Sequence, residues 1–199
     1  MIHHGTPTRP SRSRCPVHIS TLALPVAVGR ARAARPPLTH PQRSMPTVSA
    51  SEHLWFLDTL VACRVGEEAG SDGISVLEHR ARRGDSPPLH VHTTEDEVFV
   101  VLEGAFRFRL GDEERPAAAG DVLLAPKGAP HTYRVESEEG RFLTITARGD
   151  FERFVRAMGR VAERAELPES GGPPSPEAMA ALTETAGRFG IEFVGPPLQ

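Results

Sequence analysis

What most constrains the fold of this chain is a cadence. Short apolar runs follow one another from Trp55 onward, each closed by a turn signal. LVACRV (60–65) precedes GEEAGSDG, and ISVLEHRARR (74–83) precedes GDSPP. EVFVVLEG (97–104) runs on into AFRFRL (105–110), and GDEERP (111–116) reads as the turn after it. DVLLAP (121–126), HTYRVE (131–136) and RFLTITA (141–147) complete the series. The runs are β-branched or aromatic and often alternate. In AFRFRL, Phe106 and Phe108 fall on one face, with Arg107 and Arg109 on the other. Many short strands with Gly, Pro and Asp turns define an all-β sandwich or barrel.

The period changes at Asp150. DFERFVRAMGRVAERAEL sets Phe151, Phe154, Val155 and Met158 at helical spacing, with Asp150 as N-cap and Pro168 as terminator. A second helix is expected over 175–189, capped by Ser175, with Pro176 in its first turn and Gly187 or Gly190 near its end. IEFV (191–194) reads as a last extended piece. The tail is expected to cap the barrel mouth or to pack in a dimer interface. Its contact residues would be Phe151, Phe154, Met158, Phe189 and Phe193.

Ahead of this body the composition is different. Residues 1–44 hold seven Arg, seven Pro and no Asp, Glu or Lys. A secretory signal and a transit peptide both fit poorly, because prolines break the apolar and amphipathic stretches each requires. The preferred reading is a disordered or non-native extension, translated from GC-rich sequence upstream of a start near Met45. That gives three segments: 1–44, a barrel over 45–149 and a helical extension over 150–199. The body carries 16 basic and 26 acidic groups, a net −10. Such a charge disfavours nucleic acid and anionic membranes as partners. No run reaches the ~18 apolar residues of a membrane span. A cytoplasmic protein is expected. Cys15 and Cys63 cannot build a disulfide framework, and Cys63 reads as a small buried hydrophobe.

The chemistry concentrates in one segment. His90 and His92 lie two apart, so on a strand they project to one face. A turn over Thr93–Asp96 resets the parity and lets Glu97, at the start of the next run, face the same interior. His131 opens HTYRVE just after the Pro126–Pro130 turn, and Gly128 within that turn is expected to set its placement. Three imidazoles and a carboxylate suit one divalent Fe, Mn, Ni, Co, Cu or Zn ion. Four protein ligands leave a position open on a five- or six-coordinate ion, as catalysis requires. His3, His4, His18, His40, His53 and His79 read as solitary polar or satisfied core groups. Glu95 and Asp96 read as solvated turn residues.

Nine defined positions place these residues in a wider pattern. Gly84-x5-His90-x-His92-x4-Glu97-x6-Gly104 and Gly120-x5-Pro126-x-Gly128-x2-His131 resemble the two signatures of the cupin superfamily. The second often closes with Asn, where Val135 stands here. The resemblance covers roughly residues 61–147. It implies a small antiparallel jelly-roll barrel, commonly a homodimer, with a metal on His90, His92, Glu97 and His131. HVHTTEDEVFVVLEG, HTYRV after PKGAP, and GDFERFVRAMG are similar to bacterial single-cupin quercetin 2,3-dioxygenases. That likeness implies a dioxygenase acting on a flavonol-like or enediol-like small molecule. Glu97 would be both ligand and catalytic base, and Phe99, Val101 and Tyr133 would line the pocket. A non-catalytic metal-binding cupin and an O2-independent isomerase or cyclase are the alternatives.

Overall fold

The computed structural model describes residues 52–172 and 174–199. The expectations for residues 1–44, including Cys15 and the four histidines there, lie outside the described residues. Along the chain come β1 (His53–Phe56), β2 (Thr59–Val65), β3 (Ser75–Arg82), β4 (Pro88–His92), β5 (Glu97–Glu103) and β6 (Ala105–Leu110). Then come β7 (Glu113–Ala118), β8 (Val122–Ala125), β9 (His131–Val135) and β10 (Glu139–Thr146). The tail adds α1 (Asp150–Met158), β11 (Arg160–Val161), α2 (Pro176–Arg188) and β12 (Ile191–Pro197).

All strand pairs are antiparallel and form two sheets, ordered β11-β1-β2-β3-β10-β5-β8 and β12-β4-β9-β6-β7. The inward side chains of both sheets make the barrel core: Phe99, Val101, Phe106, Phe108, Leu123, Val135 and Phe142. The alternation read from AFRFRL holds. Phe106 and Phe108 are buried, whereas Arg107 pairs outside with Glu136 and Glu114. Fully burying one such ring contributes about 1.5–3 kcal/mol, so the register of each strand is held by the face it buries.

Four local expectations need correction. GDEERP is not wholly a turn. Gly111 and Asp112 make the turn, Leu110 pairs with Glu113, and the rest is β7. β7 is an edge strand, where Pro116 and charged residues are tolerated because the outer ladder faces no partner. The first helix stops at Met158, not near Pro168, because Gly159 is extended at its C-cap and Arg160 and Val161 leave to pair with β1. Arg160 stacks its guanidinium 4.3 Å from the Trp55 ring centroid. The N-cap of α1 is Gly149, with φ 73° and no side-chain cap, rather than Asp150. Cys63 is half-buried. Its thiol donates to Glu152 Oε1 at 3.6 Å and is pushed up to about 11 by burial and by that carboxylate. Ser175 caps α2 as expected, accepting from the Ala178 N–H at 3.2 Å.

The tail belongs to the barrel's own packing. Phe151, Phe154, Val155, Leu182 and Ala186 from α1 and α2 share a second buried cluster with Phe56, Val61 and Leu77. β12 pairs with β4, setting Ile191 opposite His92 and Phe193 opposite His90. The tail strand is thus annealed to the strand that carries two of the histidines.

Gly104, between β5 and β6, has φ 87°, and a Cβ there would lie 2.6 Å from the Glu139 carbonyl oxygen. Gly104→Ala should lower unfolding free energy by about 1–3 kcal/mol from backbone strain alone, read from urea denaturation.

Candidate metal centre

The centre is built where the two sheets meet at the barrel mouth. β4 delivers His90 and His92 with the same-face parity of an i, i+2 pair. β9 delivers His131 directly opposite His90, with ring centroids 4.3 Å apart. Glu97 comes from the other sheet, at the start of β5 between Thr146 and Ala125. The turn over 93–96 resets parity, as expected. All four side chains are buried, and their ligand atoms lie within 4.8 Å of one another. The Glu97 Oε2 is 3.1 Å from His131 Nε2 and 3.4 Å from His92 Nε2.

Hydrogen bonds outside the cluster decide which nitrogens face inward. His90 Nδ1 donates to the Pro88 carbonyl at 2.8 Å, and His131 Nδ1 to the Ala129 carbonyl at 3.0 Å. A carbonyl only accepts, so each proton sits on Nδ1 and each Nε2 offers a lone pair. His131 Nε2 meets Glu97 Oε2 at hydrogen-bond distance, 3.1 Å. Both ring nitrogens of His92 are buried without a hydrogen-bond partner. Orphaned buried polar groups cost about 1–3 kcal/mol each. A divalent cation at the convergence of these atoms satisfies lone pairs and charge together, so the residues present fit a metal.

Proton affinities follow the same geometry. Burial pushes the Glu97 carboxyl up, but His92, His131 and His90 outweigh it and hold it down at about 2. Burial, reinforced by its two histidine neighbours, lowers His90 to about 3. For His92 burial favours the neutral ring, yet Glu97 and Glu95 on either side outweigh burial and raise it. The two carboxylates thus favour the protonated ring of His92 against its burial.

A cavity of about 890 Å³ opens onto the centre. Phe56, Phe99, Phe142, Phe151, Phe154 and Phe193 give it aromatic walls. Tyr133 lines it and donates its hydroxyl to Asp85 Oδ2 at 3.1 Å. Burial raises the Asp85 carboxyl to about 6 against the pull of that hydrogen bond. Burial and Asp85 raise the Tyr133 phenol well above its ordinary value. Of the expected pocket residues, Phe99 and Tyr133 line the cavity. Val101 does not; two residues further along β5, it has passed into the closed core. His79 is buried but lines the same cavity; its Nε2 meets Thr144 Oγ1 at 3.2 Å and its ring stacks on Phe142 at 4.9 Å.

Glu95 overturns its expectation. It is buried, not solvated, and its Oε1 lies 3.7 Å from His92 Nδ1. Asp96 is exposed as expected but accepts from the Lys127 N–H at 2.7 Å, anchoring the loop before His131. The Gly128 N–H in that loop donates to the His92 carbonyl at 2.9 Å. Nothing in the spacing TTEDE distinguishes Glu95 from Asp96. The partners that bury Glu95 are Arg148 and Phe151, more than fifty residues away.

Two antiparallel sheets closed around a His3Glu mouth define a double-stranded β-helix barrel. Residues 78–146 match the family model described as "Cupin domain". Among known proteins it is similar to the quercetin 2,3-dioxygenase of Bacillus subtilis (strain 168). The two are 34% identical over 131 residues, which is 64% of this chain and 39% of that protein. An uncharacterized protein of Aquifex aeolicus (strain VF5) is 39% identical over 56 residues, 28% of this chain and 46% of its own. The chain thus spans less than half the length of these curated relatives. Among solved structures, a predicted oxalate decarboxylase of Thermotoga maritima aligns with TM-score 0.45 and 22% identity, covering 49% of this chain and 91% of that one. No helix among the described residues is long and apolar enough to cross a membrane.

A metal must compete with protons for the His92 ring, since a protonated ring cannot ligate. Raised proton affinity at His92 extends that competition to higher pH. Affinity for Co2+ should therefore climb as pH rises, with protons released on binding. Calorimetry in two buffers of different ionisation enthalpy measures both.

Proposed function

We propose that the protein is a metal-dependent dioxygenase acting on a flavonol-like or enediol-like small molecule. The observation that carries this reading is a His3Glu centre whose own carboxylate faces a large aromatic cavity. The 34% identity to a quercetin 2,3-dioxygenase supports the substrate class. His90, His92, Glu97 and His131 would hold the ion, whose chemistry when bound is to acidify a substrate hydroxyl and favour its enolate.

The chain's residues supply the rest. Glu97, held as an anion far below neutral pH, is too weak a base for an ordinary hydroxyl. It is matched to one acidified by coordination, and takes that proton on a carboxylate oxygen. The aromatic walls hold a flat substrate and exclude water. Asp85 and Tyr133 present an acceptor and a hydroxyl on the same cavity wall, suited to a polar substituent of the substrate. Dioxygen, itself the oxidant, would give one atom to each carbon flanking the enolate carbon: the O–O bond and the two C–C bonds to the enolate carbon break, that carbon leaves with its own oxygen as carbon monoxide, and the proton held by Glu97 returns to the product carboxylate.

The acidic body continues to disfavour nucleic acid and membranes as partners, and the proposal keeps the protein in the cytoplasm. We also propose a homodimer. Val98, Val100, Leu143 and Ile145 lie side by side with Val122 and Leu124 on the outer face of the larger sheet. Val122 is 61% and Leu124 51% exposed on its edge strand β8. An apolar face of this kind is a mark of association. Sedimentation should give the mass of two chains, and replacing Val122 and Leu124 by Glu should give one. A monomeric wild-type protein would refute the dimer.

With metal-loaded protein, aerobic incubation with flavonols should consume substrate and dioxygen together, and anaerobic incubation should consume neither. Glu97→Gln should lower kcat by about 10²–10⁴. Substrate loss without dioxygen would instead favour the isomerase or cyclase reading. No loss of any flavonol or diketone would favour a binding protein.

A further inference from the structure

Glu95 sits between the metal centre and the tail, and it touches both. Its carboxylate is buried, with Oε1 3.7 Å from His92 Nδ1. Its Oε1 also accepts from the Phe151 N–H at 2.7 Å, and Oε2 accepts from the Arg148 N–H at 3.2 Å. Phe151 is the second residue of α1, whose N-cap Gly149 offers no side chain to the free N–H groups of the first turn. A carboxylate reaching over from the barrel therefore does the capping, and the positive end of the helix dipole stabilises its charge.

The other side of Glu95 faces an imidazole that lacks an acceptor. His92 Nδ1 is buried and has no hydrogen-bond partner. If His92 spends its Nε2 on a metal, the proton of the neutral ring must sit on Nδ1 and needs an acceptor. The Glu95 carboxylate is the group facing it. Metal-ligating histidines ordinarily donate their second nitrogen to such a group, which fixes ring orientation and raises ligand basicity. Phe151 adds a second link, its ring lying 5.6 Å from that of His92.

We infer that Glu95 is a positioning residue that orients His92 toward the metal and, through the same carboxylate, fastens the N-terminus of α1 to the barrel. Metal occupancy and docking of the tail helix are then coupled. The inference rests on the reading of the four-residue cluster as a metal site. The coupling is reciprocal: whatever metal binding gains from an ordered α1, α1 gains from bound metal.

The test uses the full chain, Co2+ as probe, and three variants. Glu95→Gln is isosteric but removes the charge and turns a donor toward one backbone N–H. Glu95→Ala removes both links. Arg153→Ala loosens the start of α1 elsewhere, by removing the Arg153 pairs with Asp150 and Glu67, each 2.6 Å long. Co2+ affinity should fall by about 10–100-fold in both Glu95 variants and stay within about twofold of wild type in Arg153→Ala. Amide exchange at Phe151 should slow when Co2+ binds the wild-type protein, and this gain should vanish in Glu95→Ala. A merely structural cap would leave affinity in Glu95→Gln at the wild-type value, and that result overturns the inference. Equal loss of affinity in Arg153→Ala overturns it too, since general loosening of the helix would then suffice. If wild-type protein binds no Co2+, the metal reading itself fails and this inference with it.

Discussion

The structure depends on bringing four polar groups out of water to one point between two sheets. His90, His92 and His131 lie on one sheet and Glu97 on the other, all buried. An ion pair in such a place costs several kcal/mol of desolvation per charge and recovers it only with good geometry. Here the geometry is incomplete by protein atoms alone. His92 keeps two buried ring nitrogens without a hydrogen-bond partner, one of them 3.4 Å from the buried Glu97 carboxylate. A divalent ion held by these four residues would resolve the deficit and tie the two sheets together.

The same requirement explains the surroundings. Two backbone carbonyls fix the tautomers of His90 and His131, and a loop pinned by Asp96 and Gly128 delivers His131 beside β4. The cavity walls are aromatic because they are the open end of the barrel core. The tail closes that end with side chains from α1, α2 and β12, so the C-terminal fifty residues share the core that holds the site.

Much of this was legible in the sequence, for a physical reason. Alternation along β5, β6 and β10 declares which face is buried, and the spacing of His90, His92 and Glu97 is local geometry. What escaped was set by distant partners. β1 is four residues long, and its turn places Leu57 at φ 53°, a conformation that Leu does not advertise. β7 looks like a turn because it is a charged edge with a proline. Glu95 and Asp96 are adjacent acids in one turn. Only packing against α1 makes Glu95 a buried partner of His92, while Asp96 stays outside. The early stop of α1 was visible as Gly159, but the helical spacing on both sides of it masked the signal.

The central claim is that the four buried ligands hold one transition-metal ion. Elemental analysis of protein purified without added metal or chelator tests it most directly. The account predicts close to one equivalent of a first-row divalent metal per chain, lost when His90 and His92 are replaced together. Less than a tenth of an equivalent, unchanged after incubation with Fe2+, Mn2+, Ni2+, Co2+, Cu2+ and Zn2+ in turn, would contradict it.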